Sequence, residues 1–384
     1  MKLFFIIFIV ALFIIFWGNI GYQLSLILIG KLTKKKNKKT LSYFPEVTIM
    51  VVAHNEEKVI LEKLNNLSKI DYPKEKLKII VASDNSTDRT NDIVKNYSKS
   101  NESVELFIVK ARKGKTNAQN EAQKSVDSEI LVMTDANAML HPKAIIELVS
   151  SFASDDICYV SGKLEYTNGE NNQTSENESK YWGLELKVRE IESNIQTITA
   201  GNGALYAVRN KDYVDFSPIE SHDSSMPIYY ALQGKRAIAN HDAIAYEKAG
   251  ENIEDEFNRK VRMNRVLLLH ILPSISIFNF IKYKWFSYFY FGHRTCRYLL
   301  WAAHIMLFIS NFILSFVSPL FMMLLLLHTS FIMIALLQQF LNTNFILFRF
   351  IHYYSITIYA QVVGVFYSLT GKSKPFWEKA ESTR

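Results

Sequence analysis

Three hydrophobic runs between residues 47 and 140 each stop at a polar or acidic cluster. Val47–Ala53 ends at His54-Asn55-Glu56, Lys78–Ser83 at Asp84, and Ile130–Thr134 at Asp135-Ala136-Asn137. The first two runs lead into stretches with helical periodicity. Glu56–Lys69 sets Val59, Ile60, Leu64 and Leu67 on one face, and Asp88–Tyr97 does the same with Ile93 and Val94. Strands alternating with helices of this length predict a parallel sheet, which binds ligands beyond the carboxyl ends of its strands. The pattern therefore predicts an α/β domain with its acids gathered at one sheet edge, where a nucleotide and a metal would sit.

Outside this region the hydrophobicity is continuous rather than periodic. Residues 3–30 form an almost uncharged apolar run. At ~1.5 Å per residue it is long enough to cross a ~30 Å hydrocarbon core. It is too long for the apolar core of a signal peptide and lacks a small-residue cleavage site, so it reads as a retained anchor. Lys31, Lys34, Lys35, Lys36, Lys38 and Lys39 follow it, against a lone Lys2 before it. That bias places the amino terminus outside and the central domain in the cytoplasm. These lysines also account for much of the +7 net charge, so the charge is no argument for nucleic acid, and no nucleic-acid-binding motif is present. Cys158 and Cys296 are too few and too far apart for a disulfide framework.

From Leu299 the chain turns apolar again. Residues 299–318 and 319–341 each reach spanning length, and 345–370 carries Arg349, His352, Tyr353 and Tyr354. Before them, 278–297 reads as an interfacial element, with rings at the headgroups and Lys282, Lys284, His293, Arg294 and Arg297 outward. Three further spans would leave the tail outside, whereas Lys372, Lys374 and Lys379 argue for the inside. The polar start of the third segment makes it the one expected to tilt or lie in the interface. His304 and His328 are expected either to be functional or to bond a neighbouring helix. The polar stretch Asn168–Ser179 reads as a loop.

Within the domain, Asp84-Asn85-Ser86-Thr87-Asp88 closes a strand and opens a helix, with Ser86 and Thr87 as N-cap types. Asp135 and Asn137 supply hard oxygen ligands suited to Mg²⁺ or Mn²⁺, although Asp and Asn also simply make turns. Lys113-Gly114-Lys115 before a helix is a candidate phosphate grip.

In this order, 47–57, 84–88, Gly114-Lys115-Thr116-Asn117-Ala118 and Thr134-Asp135-Ala136-Asn137 resemble the family 2 glycosyltransferases. Tyr181-Trp182-Gly183-Leu184-Glu185, the stretch 201–209 from Gly201-Asn202-Gly203, His222-Asp223 and Arg259-Lys260-Val261-Arg262-Met263 extend the resemblance toward the membrane-embedded branch. That branch includes poly-N-acetylglucosamine, hyaluronan and cellulose synthases. The resemblance implies a GT-A (Rossmann-like) nucleotide-sugar-binding fold flanked by transmembrane helices. It implies donor contacts from Ala53, Asn55, Glu56, Asp84, Lys115, Asp135, Arg259 and Arg262, with a UDP-sugar as the donor. It further implies a divalent metal on Asp135 and Asn137, acceptor contacts from Gly201, Asn202, Gly203 and His222, and Asp223 as the general base. His222 stands where relatives carry an acid, and Met263 where processive relatives carry a Trp that places the acceptor.

The expected organisation is an N-terminal transmembrane helix (1–30), a basic linker (31–44), a cytoplasmic catalytic domain (45–265), an interfacial segment (266–298), C-terminal spans (299–370) and a tail (371–384). The expected function is an inverting, metal-dependent transfer to a carbohydrate or lipid-linked acceptor in surface polysaccharide synthesis. It takes place at the cell membrane, among membrane lipids and with export or synthase subunits as partners. The alternative is a non-processive enzyme building a glycolipid or a lipid-linked repeat unit.

Overall fold

A strand buried on both faces needs an unbroken apolar run, and the runs that end at residues 53, 83 and 135 become such strands. The computed structural model describes residues 1–33, 36–168, 173–248, 253–341 and 343–376, apart from the side chains of 173–182 and 253. The chain divides into two units. One comprises Leu26–Ile253, Asn279–Ser287 and the chain from Lys374. The other comprises Met1–Ser25, Glu254–Phe278 and Tyr288–Ser373.

The first unit is built on a mixed eight-stranded sheet. Its strands are β1 (Val47–Ala53), β2 (Leu77–Ser83), β3 (Val104–Ile108), β4 (Ile130–Asp135), β5 (Met139–Leu140), β6 (Ile157–Tyr166), β7 (Leu205–Arg209) and β8 (Arg236–Glu247). They lie in the order β3-β2-β1-β4-β7-β6-β8-β5. β1 runs parallel to both β2 and β4, with Ala53 level with Ser83 and Val52 level with Asp135. The strand order reverses at β1, so its carboxyl end lies at a topological switch point. Alternation along β1 sends Ile49 and Val51 to one face, against Leu64, Val94 and Leu148. Met50 and Val52 go to the other face, with Ala118, Met226 and Tyr230. Each such side chain contributes about 1.5–3 kcal/mol on burial, so a one-residue slip of register is strongly disfavoured.

The polar stretch expected to be a loop is largely helical. Residues 169–172 lie outside the described residues, but Gln173–Ile195 is one helix. Its first turns are rich in Glu, Gln and Lys, which favour helix as readily as apolar residues do. Its later turns are anchored by buried Glu185, Val188, Arg189 and Glu192.

In the second unit and at its borders, Lys2–Thr33 and Pro319–Leu341 are helices long and apolar enough to cross a membrane. The expected span 299–318 is shorter than anticipated, because the helix Leu300–Ser315 has 16 residues. That is about 24 Å, less than a bilayer core. It qualifies only together with Trp285–Tyr298, from which it bends by 62°. Ile346–Leu369 forms a 24-residue helix but is not among the described helices apolar enough to span. Its Tyr354 hydroxyl takes hydrogen bonds with His304 Nε2 (2.8 Å) and Asn19 Nδ2 (3.1 Å), so His304 bonds neighbouring helices. The stretch 278–297 departs from a simple interfacial helix. Phe286, Phe289, Tyr290 and His293 are buried, while Phe280 and Ile281 remain exposed. Its rings are therefore divided between the protein interior and the surface.

Candidate active site

Two strand-end turns meet at the switch point. Asn55 and Asn85 both adopt left-handed backbone (φ 53° and 54°), a conformation Asn tolerates better than other residues with a Cβ. Asn55 Oδ1 accepts from Thr87 N at 2.8 Å, and Ser86 Oγ accepts from Asn55 N at 3.2 Å. Ala53 is buried, and its carbonyl accepts from Asp84 N. Glu56 is also buried, with its N–H bonded to Thr90 Oγ1. These expected donor residues are thus the frame of one rigid corner.

Asp84 has an immediate task that the sequence did not reveal. Its carboxylate accepts from Lys113 N (3.0 Å) and Gly114 N (2.8 Å), fastening the loop before the helix Lys115–Gln123. The amides of Lys113 and Gly114 are therefore committed to Asp84 rather than free for a phosphate, which leaves the lysine side chains as the candidate grip. Gly114 has φ 96°, which requires glycine, and a Cβ there would also lie 2.4 Å from the Pro375 carbonyl. Next to it, the Arg112 guanidinium lies 4.6 Å over the Phe376 ring. Pro375 and Phe376 thus pack on the domain beside the Asp84 corner.

The fixed loop aims Lys115 at β4. Its Nζ lies 2.6 Å from Asp135 Oδ1 and 3.0 Å from the Gly203 carbonyl. Asn137 donates through Nδ2 to Glu247 Oε1 at 2.6 Å, while its buried Oδ1 has no hydrogen-bond partner among the described residues. Beneath this loop lies Lys63, fully buried, donating to Thr134 Oγ1 at 3.0 Å and to the Ala138 carbonyl. Burial pushes its ammonium down to about 7, opposed by the charges of Asp135 and Glu247. Asp135 at the end of β4, the orphaned amide oxygen of Asn137 two residues on, and Glu247 at the end of β8, which Asn137 meets, offer oxygen donors suited to a divalent cation. Among the described residues no group of three His, Cys, Asp or Glu side chains could hold one. Mg²⁺ commonly takes only one or two protein ligands and completes its shell with phosphate and water, so this donor set fits.

Asp223 occupies the first turn of the helix His222–Leu232. Its carboxylate takes no hydrogen bond from the described residues. A Cβ on Gly203 would lie 3.5 Å from both Asp223 Cγ and Lys115 Nζ, so the two side chains flank that glycine. Asn202 is buried, with Oδ1 accepting from Ala204 N and Nδ2 unpartnered among the described residues.

His222 does not join this group. Its ring is buried, with Nε2 at 2.9 Å from the Tyr213 hydroxyl and Nδ1 at 2.9 Å from Gln119 Oε1. Successive helical residues face about 100° apart, so Asp223 can face the site while His222 faces the core. Burial, helped by the charge of Lys115, pushes the imidazole down to about 3. The folded chain thus refuses a proton that the unfolded chain accepts below about 6.5. Stability attributable to His222 falls as the pH drops through that window, by up to ~1.4 kcal/mol per unit. The His222→Gln variant should therefore lose less melting temperature than the native chain between about pH 6.5 and 4.5. Equal losses in the two proteins would contradict a buried neutral ring.

Arg259 and Arg262 stand on the helix Ile253–Met263 of the second unit, where Arg259 pairs with Glu256 at 2.7 Å. Two contributors were not singled out in the sequence. Lys63 falls on the apolar face of its helix, four residues after Val59, and a lysine at such a position is the signal. Arg189, on the long helix Gln173–Ile195, donates to the Gly201 carbonyl at 2.6 Å, a contact with no local signature.

Residues 48–215 match the model of glycosyl transferase family 2. A probable glycosyltransferase, YdaM of Bacillus subtilis, is 34% identical over 124 residues, which is 32% of this chain and 30% of that protein. The beta-monoglucosyldiacylglycerol synthase of a Nostoc species is 28% identical over 137 residues, 35% of this chain and 29% of its own. The chain thus spans less than a third of the length of either relative. The solved mannosyltransferase PcManGT of Pyrobaculum calidifontis, in complex with GDP-Man and Mn²⁺, superposes with a TM-score of 0.73 at 20% identity. That superposition covers 95% of this chain and 99% of the other, a likeness of fold.

Proposed function

Because residues 48–215 match the model of glycosyl transferase family 2, we propose that the chain moves a sugar from a nucleotide diphosphate to an acceptor hydroxyl with inversion. The observation that carries this reading is the grouping of Lys115, Asp135 and Asp223 around Gly203 at the sheet's switch point. The acceptor oxygen attacks the anomeric carbon, its proton passes to the Asp223 carboxylate, and the bond to the diphosphate breaks with the nucleoside diphosphate leaving. A carboxylate that takes no hydrogen bond from the described residues is suited to take that proton. One displacement suffices, so no covalent sugar on the protein is needed. Lys115 supplies positive charge near the departing phosphates, and Asp84 holds the loop that aims it. Asp135 and Asn137 would hold Mg²⁺ or Mn²⁺, which when bound offsets charge on the diphosphate. The relative in complex with GDP-Man and Mn²⁺ supports both the donor class and the ion.

Met263 favours the non-processive reading of the acceptor. It is exposed and occupies the position where processive relatives carry Trp, and a thioether offers no flat ring for a sugar to stack on. The diacylglycerol-linked product named for a relative supports a lipid acceptor.

The membrane arrangement follows from the tail. The packing of Pro375 and Phe376 on Gly114 and Arg112 supports an arrangement with those two residues on the domain's side of the membrane. An even number of crossings then separates domain and tail. The bent pair 285–315 and the helix Pro319–Leu341 supply two, with Ile346–Leu369 not crossing. The lysines after the first helix support a cytoplasmic location for that side.

The test is a panel of radiolabelled nucleotide sugars offered to membranes containing the protein, with sizing of the product. Label from one donor should enter a small, lipid-extractable product. A high polymer would overturn the single-transfer reading, and no transfer from any donor would overturn the enzymatic one.

A further inference from the structure

Gly201 is held at every point its backbone offers. Its N–H donates to the Asp223 carbonyl at 2.7 Å, and its carbonyl accepts from Arg189 Nη1 at 2.6 Å. A Cβ on its α-carbon would lie 1.9 Å from the Tyr159 hydroxyl oxygen, so no larger residue fits without displacing that ring. Arg189 is itself bound by Glu185 one helical turn earlier, with Nε and Nη2 each 3.0 Å from Oε1. Both side chains are less than a tenth exposed. A charged pair this deep is costly unless its remaining hydrogen bonds are completed in fixed geometry. The Gly201 carbonyl is one of the groups that complete them.

This path ends at the residue read above as the base. Arg189 fixes the Gly201 peptide, and the Gly201 N–H fixes the Asp223 backbone at the start of its helix. Two residues on, Gly203 is flanked by Lys115 and the Asp223 carboxylate. The loop 201–203 therefore joins the buried ion pair to both sides of the site. We propose that Arg189, oriented by Glu185, is a positioning residue that sets the Asp223 carboxylate against the acceptor hydroxyl through Gly201. This rests on the reading of Asp223 as the proton acceptor. A pair that merely stapled the long helix to the sheet would affect stability without acting on the same step as Asp223.

Displacement of a reacting group by about 1 Å can cost about a hundredfold in rate, which sets the scale. In full-length protein in membranes, Arg189→Met should lower turnover by about that factor with donor affinity nearly unchanged. Adding Asp223→Asn to it should cost much less than the same change costs in the native chain, because the base is already misplaced. Amide exchange at Gly201 should rise. Arg189→Lys, which retains a cation able to reach the Gly201 carbonyl, should recover part of the rate. Native turnover in Arg189→Met, or an undiminished further effect of Asp223→Asn, would overturn the proposal. So would unchanged exchange at Gly201. If Arg189→Met does not fold, Arg189→Lys and Glu185→Gln carry the test. Reduced turnover at unchanged donor affinity then supports the proposal, and native turnover in both overturns it. Absence of transfer in the native protein would instead sink the functional reading, while exchange at Gly201 still reports on the clamp.

Discussion

Asp223→Asn should slow sugar transfer by roughly 10²- to 10⁴-fold, the usual contribution of general-base assistance. The amide keeps the shape of the carboxylate but cannot accept the acceptor's proton. Stability should change little, because the carboxylate takes no hydrogen bond from the described residues that the substitution would break. The Gly201–Asp223 bond uses the Asp223 backbone carbonyl and survives the change. Nucleotide affinity should also hold, since Asp223 is assigned to the acceptor side. Retained turnover at saturating donor would show that another group takes the proton.

Asp135→Ala should remove transfer and weaken metal-dependent nucleotide binding by more than about a hundredfold, since even outer-shell changes around a metal cost ten- to a hundredfold. The structure adds a consequence for the apoprotein. Lys115, about four-fifths buried, loses its partner at 2.6 Å, and fully buried Lys63 loses one of the two charges that favour its ammonium. The pair retains some exposure, so the expected cost is modest, about 1–2 kcal/mol. The variant should fold with a slightly lowered melting temperature and fail to show nucleotide binding enhanced by Mg²⁺ or Mn²⁺. Full activity in chelator-treated membranes would remove the ion from the account.

Much of the sheet edge that carries the candidate site was legible because apolar runs ending in acids carry topology with them. Parallel strands paired in register place Ala53 beside Ser83 and Val52 beside Asp135, and period-2 alternation decides which face each residue packs on. Asp223 was legible only through resemblance, since an acid in a helix's first turn is also an ordinary stabilising choice. Side-chain direction was not legible. His222 and Asp223 are neighbours in sequence, yet one is packed among Tyr213 and Gln119 and the other lines Gly203. Asp84 was rightly placed at a strand end, but its hold on Lys113 and Gly114 depends on a loop about thirty residues away.

The remainder was hidden because it is tertiary or runs against polarity rules. Lys63 occupies an apolar face, where Thr134 and the Ala138 carbonyl receive its amine and the charges of Asp135 and Glu247 favour its ammonium. Arg189 belongs to a helix whose first turns read as loop. Nothing in the run of lysines near the carboxyl terminus shows that Pro375 returns to Gly114.

The central claim is that one carboxylate serves the donor and another the acceptor. It is tested most directly by measuring nucleotide affinity and turnover at saturating donor for Asp135→Ala and Asp223→Asn in the same membranes. The account predicts a split, with Asp135→Ala losing metal-dependent affinity and Asp223→Asn losing turnover at native affinity. Loss of nucleotide binding in Asp223→Asn, with its rate at saturating donor preserved, would contradict it.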